Sequence, residues 1–239
     1  MTAKRPVVVA RPTSRPHPGE LDGAIGPRCP YRPGMALLRP VTEPRERVPR
    51  LVAGLVLCGL GIAFMVAADL GLAPWSVLDQ GISEHTGIPI GTVSIIVGAL
   101  VLAAWIPLRE RPGLGTVLNV LLIGTTIDVA LLVLDTPASL AGRLAYLAIG
   151  VFLWGPGTGL YIGAGLGPGP RDGLMTGLSA RGVGSIRLVR TGIEITALAA
   201  GMALGGSVGL GTLAFALTIG PNVQLFLPRL TLRPVLEGA

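Results

Sequence analysis

Six long apolar runs dominate the chain: Leu51 to Ala68, Ile90 to Leu108, Gly113 to Leu134, Leu144 to Ile162, Leu188 to Leu204 and Leu210 to Leu227. Each comes close to the roughly 20 residues that a helix needs to cross a bilayer core of about 30 Å. Several are slightly short, so flanking residues or local thinning of the bilayer must make up the difference. After the first and fourth runs, Gly and Pro interrupt the helix just as the span ends. The segments LGLAPWSVLDQG and LGPGPRDGLMTG there read as turns leading into short amphipathic helices, Trp75 to His85 and Arg171 to Ala180. The predicted fold is all-α: a polytopic membrane protein with six transmembrane helices.

Residues 1–49 break this pattern. They hold ten prolines, scattered arginines and no sustained period, too little apolar surface to offset chain entropy, and are expected to form a disordered Pro/Arg-rich leader. The apolar stretch Val7 to Ala10 is too short for a signal-peptide core, so the first span is expected to direct insertion. Met35 offers an alternative start that would leave a short basic leader before that span.

The sequence also repeats itself. At an offset of 96 residues, 26 of the 81 positions from Leu51 to Leu131 recur without a gap. About a tenth would match by chance in so Gly-, Leu- and Ala-rich a chain. The matches cluster: Gly113-Leu114-Gly115-Thr116 returns as Gly209-Leu210-Gly211-Thr212, Ile123-Gly124 as Ile219-Gly220, and Leu70-Gly71 with Pro74 and Leu78 as Leu166-Gly167 with Pro170 and Leu174. Each unit holds three spans, an odd number, so the second copy must enter the membrane in the reverse sense. The expected organisation is the leader 1–49, a first three-helix repeat 50–139, an inverted second repeat 140–228 and a short cytoplasmic tail 229–239.

Charge gives an independent estimate of orientation. Basic residues near span ends stay preferentially in the cytoplasm. Arg45, Arg47 and Arg50 precede the first span, Arg109 and Arg111 follow the second, Arg171, Arg181 and Arg187 lie between the fourth and fifth, and Arg229 and Arg233 follow the sixth. The opposite loops carry Asp69, Asp79, Glu84 and Asp135 with one arginine, Arg143. Both termini are thus predicted to face the cytoplasm, across a bacterial inner membrane.

Composition agrees: half the residues are hydrophobic, 13% are charged and the mean hydropathy is +0.68. The net charge of +6 comes largely from the leader, which has nine Lys or Arg and four acids, against ten and nine in the rest. This argues against a nucleic-acid partner. The partners expected are the lipid bilayer and a small solute or ion. Cys29 and Cys58 lack metal-ligand spacing, and His17 and His85 have no second ligand nearby or Ser and Asp to form a triad. No catalytic residue, metal or cofactor is expected, and the chain reads as a non-enzyme.

The stretches GLGIAFMVAADLGLAPW, GTVSIIVG, RPGLGTVLNVLLIG, GTGLYIGAGLGPGPRDGLM and RLVRTGIEIT together resemble the YczE-like branch of the YczE/YyaS/YitT integral membrane proteins of bacteria. The resemblance covers about Arg50 to Pro228 and implies location and architecture rather than an activity.

Charges inside apolar runs are costly, by about 2.5 to 3.5 kcal/mol at a helix centre, and need partners or a wet cavity. Asp128 and Glu194 are the first candidates for a solute site. Glu194 lies one turn after Arg190, which also permits a structural intrahelical pair. For Asp128, whose counterpart 96 residues on is Gln224, a polar cavity and an interhelical hydrogen bond both remain open. Asp69, Asp79, Arg171 and Asp172 are expected at the two mouths. Trp75 lies where the second copy has Arg171, and suits a lining role or an interfacial anchor. Asn119 and Asn222 could join the cavity or bridge helices. The ladder Gly155, Gly159, Gly163 and Gly167 has the small-xxx-small spacing that lets backbones approach closely. A transporter or permease whose two units rock about a polar midplane site fits this architecture. A non-transporting accessory protein working through lateral helix contacts is the alternative.

Overall fold

The computed structural model describes residues 44–108 and 110–232. Most of the leader, with Cys29, His17 and Met35, lies outside the described residues, as do Arg109 and Arg233. Nine helices and no strand are present among the described residues: α1 (Pro44–Ala68), α2 (Pro74–Thr86), α3 (Ile90–Ala103), α4 (Trp105–Leu108), α5 (Leu114–Leu131), α6 (Leu140–Gly163), α7 (Pro170–Ala180), α8 (Ile186–Ala203) and α9 (Leu210–Leu230).

Five segments are long and apolar enough to cross a membrane: α1, α3 continued through α4, α5, α6 and α9. The fifth expected span, Leu188 to Leu204, is not among them. Its helix α8 carries Arg187, Arg190 and Glu194 within its first half, which lowers its apolarity below that of the other five. The expected leader boundary also moves. Residues 44–49 are helical because Pro44 opens α1 without needing an amide partner, Glu46 pairs with Arg50 at 3.0 Å, and Arg47 is buried. At the other end α9 runs on to Leu230, so the tail begins as helix.

Helices α1 and α6 form the centre. Gly54 lies against Gly157 and Tyr161, and Gly61 against Gly150, so the two helices run antiparallel. A Cβ on Gly61 would stand 2.8 Å from the Gly150 carbonyl oxygen, and one on Gly150 would stand 2.7 Å from that of Gly61. Gly54 and Gly157 block each other in the same way, at 2.6 and 2.9 Å. In lipid, where apolar side chains gain little by leaving one apolar medium for another, such close backbone approach supplies the packing. The glycine ladder of α6 faces α9: Gly155 meets Asn222, Gly159 meets Phe226, and Gly163 meets Leu230.

The contacts pair at the 96-residue offset. Leu70 accepts a hydrogen bond from the Gly211 amide at 2.7 Å, and Leu166 accepts one from the Gly115 amide at 2.8 Å. Gly71 (φ 102°) and Gly167 (φ 127°) occupy the left-handed region that makes these turns possible. Arg47, at the start of α1, donates to the Ala164 carbonyl just past α6 at 2.9 Å, while Arg143, at the start of α6, pairs at 3.2 Å with Asp69 just past α1.

Candidate functional site

The short helices α2 and α7 start where the sequence demands. Pro74 and Pro170 each occupy the first helical turn, where a missing N–H costs nothing. Thr116 Oγ1, fully buried, donates to the Pro168 carbonyl at 2.7 Å and fixes the approach to α7. Trp105, 1% exposed, fills the space above Gly173 and donates from Nε1 to the Pro170 carbonyl at 3.0 Å. On the other side Gly201 of α8 accommodates Val77 of α2, the residue that corresponds to Gly173. Large and small residues are thus exchanged between the two interfaces.

These anchors bring the two helix starts together. The Arg171 guanidinium carbon sits 5.3 Å from the centroid of the Trp75 ring, a cation–π stack. Beneath it lies a cavity of about 60 Å³, lined by Trp75, Ser76 and Asp79 of α2, Ser94 of α3, Asn119 of α5 and Arg171 of α7, with an apolar floor that includes Ile62, Val97 and Ile123. Asp79 is only 7% exposed, and its Oδ1 has no hydrogen-bond partner among the described residues; neither has the buried Nε1 of Trp75. A buried polar atom without a partner is costly, which makes this carboxylate the first candidate for contact with a ligand.

The repeat does not duplicate two of the polar residues of this cavity. Positions 96 residues beyond Asp79 and Asn119 are Met175 and Phe215, and Phe215 stacks edge-on against Trp154 with ring centroids 5.4 Å apart. Among the described residues no three His, Cys, Asp or Glu side chains converge as a metal site.

The sequence candidates divide clearly. Trp75, Asp79 and Arg171 come together, with Asn119 beside them. Placing Asp79 and Arg171 at separate mouths therefore needs correction: the Gly/Pro breaks turn both short helices inward, and their first turns meet. Asp172 lies next to this centre, its Oδ2 accepting from the Tyr161 hydroxyl at 3.4 Å. Asp69 stays apart in the exposed pair with Arg143. Asp128 accepts from the Gly91 amide and from Thr92 Oγ1, both at 2.7 Å, and so caps α3. It also borders a groove of about 300 Å³ that is otherwise apolar, with Ile90, Val129 and Leu132. Glu194 pairs with Arg190 at 3.9 Å on its own helix. Gln224 is exposed on α9, away from the cavity. Asn222 bridges helices, donating to the Val151 carbonyl at 2.8 Å. Ser76 and Ser94 went unremarked in the sequence, because an isolated serine near a span carries no periodic or motif signal.

Residues 45–228 match a family of unknown function (DUF6198). The chain belongs to this family. The DUF6198 match contains all the helices just described except the extreme ends of α1 and α9. The chain is 43% identical over 186 residues to an uncharacterized protein of Haemophilus influenzae, covering 78% of this chain and 85% of that protein. It is 35% identical over 179 residues to the uncharacterized membrane protein YczE of Bacillus subtilis, covering 74% and 83%. The uncharacterized protein YyaS of the same organism is 26% identical over 179 residues, covering 73% and 89%. The DUF6198 chain is thus a multi-pass membrane protein of the YczE-like branch. No solved structure matches it.

Proposed function

We propose that this protein is a small-solute transporter or permease of the bacterial cytoplasmic membrane, with both termini in the cytoplasm and its site in the cavity of Trp75, Asp79, Asn119 and Arg171. In this reading α8 is the sixth span, its Arg190–Glu194 pair lowering the cost of charge in lipid. Residues 50–139 and 140–228 then form two inverted three-helix halves. The antiparallel α1 and α6, and the contacts that recur at the 96-residue offset, support that arrangement.

One observation carries the functional reading: a buried carboxylate, one of whose oxygens has no partner among the described residues, shares a polar cavity with a cation, at the point where two interrupted helices begin. Transporters built from repeats use such broken helices at the repeat interface to hold a solute, because helix ends offer free backbone groups and partial charge. A helix-packing protein has no need of the arrangement. Asp128, Glu194 and Gln224 take no part in this site, and Asp69 and Asp172 lie outside its lining.

Purified protein in liposomes tests the proposal. Flux of a solute found by a thermal-stability screen, lost in Asp79→Asn and Arg171→Gln, supports transport. Repeatable co-purification with one membrane partner, with no flux and no stabilising solute, would favour the accessory role instead.

A further inference from the structure

The cavity is bipolar. Asp79 contributes a carboxylate whose Oδ1 is buried and unpartnered among the described residues, and Arg171 contributes a guanidinium that forms no ion pair among them. Both face the same space of about 60 Å³. The neighbouring carboxylate, Asp172, is already engaged by Tyr161. The first turns of α2 and α7, which carry Trp75 and Arg171, add the partial positive charge of helix N-termini. Trp75 Nε1 supplies a further buried donor without a partner among the described residues, and Ser94 and Asn119 add polar groups to the lining.

Resting on the transport reading above, we infer that the ligand is a compact zwitterion, an amino-acid-sized molecule whose ammonium meets Asp79 and whose carboxylate meets Arg171 and Trp75 Nε1. A purely anionic ligand would bring its charge against Asp79, and a purely cationic one against Arg171; each leaves one of the two protein charges, buried Asp79 or half-buried Arg171, without a ligand partner. A molecule carrying both charges satisfies both ends, and the small volume restricts it to a few heavy atoms between them. The aromatic ring beneath Arg171 holds the guanidinium without consuming its donors, so they stay free for a carboxylate.

The test uses the full chain in detergent, with thermal stabilisation read against glycine, β-alanine, acetate and methylammonium. The expected result is that glycine or β-alanine raises Tm and binds at least tenfold more tightly than either single-charge probe, a comparison that needs no variant. Asp79→Asn and Arg171→Gln, each monodisperse by size exclusion, should weaken zwitterion binding by about thirtyfold or more. Acetate binding as tightly as glycine and surviving Asp79→Asn, or methylammonium doing so and surviving Arg171→Gln, would overturn the zwitterion while leaving the cavity as the site. Glycine binding unchanged in both variants, or stabilisation by none of the four probes, would overturn the zwitterion assignment, the former also removing the cavity as the site.

Discussion

Asp128 and Asp79 separate two uses of a carboxylate in an apolar setting. Asp128 answers the free amide of Gly91 and the hydroxyl of Thr92, so its charge is absorbed by the start of a helix. Asp128→Ala should therefore destabilise the protein by about 1–2 kcal/mol, as loss of a cap does, and leave ligand affinity untouched; thermal melting with and without a stabilising solute reads both. The sequence showed that Asp128 was a polar residue inside a span, but its partner lies 37 residues away, beyond what local spacing can reveal. A similar contrast holds for the arginines. Arg47 is buried and donates to the Ala164 carbonyl, whereas Arg143 is half-buried and donates to the Pro137 carbonyl and to the exposed Asp69. Arg47→Ala should cost about 2 kcal/mol, the scale of a charged hydrogen bond, and Arg143→Ala under about 1 kcal/mol. Equal losses in melting experiments would refute the distinction. Charge counting had given both residues only a topological meaning, since hydrogen bonding to a helix end leaves no trace in composition.

Among the elements, the short helices α2 and α7 were legible because Gly and Pro stop a helix by local rules, and their observed bounds differ from the expected ones by no more than one residue at either end. Their meeting was not legible. It depends on Thr116, Trp105 and Gly173, which lie far apart in sequence and gain meaning only when folded. The start of α1 at Pro44 was missed for a related reason: the arginines near its first turns look like leader until Arg47 is seen reaching the end of α6. Of the expected glycine ladder, Gly155, Gly159 and Gly163 pack on α9 from α6, whereas Gly167 lies past the helix end against Gly113; Gly61 and Gly150, outside that ladder, yield a sharp comparison. Gly61→Val or Gly150→Val forces a side chain into opposing backbone and should cost about 1–3 kcal/mol. At Gly192 nothing stands within 4 Å of an added Cβ, so Gly192→Ala should be neutral or stabilising by up to about 1 kcal/mol. Melting temperatures of the three variants that fail to rank in this order would show that helix contact does not limit stability.

At the scale of the molecule, the proposed inverted halves explain why a loop of one half rests on the other: Leu70 on Gly211, and Leu166 on Gly115. The 96-residue register was visible in sequence because these contacts need the same glycines twice. Its asymmetry was not, since Asp79 answering to Met175, and Asn119 to Phe215, looks like ordinary drift until Asp79 and Asn119 are seen lining one cavity. Trp75 and Arg171 cannot report on sidedness, because they touch. His85 and Arg181, also 96 residues apart and both exposed near the far ends of α2 and α7, can. In a background with Cys29→Ser and Cys58→Ala, single cysteines at these two positions are to be labelled with a membrane-impermeant maleimide on intact cells. The inverted arrangement predicts that position 85 reacts from outside and position 181 only after the membrane is opened; reaction of both from the same side would contradict it.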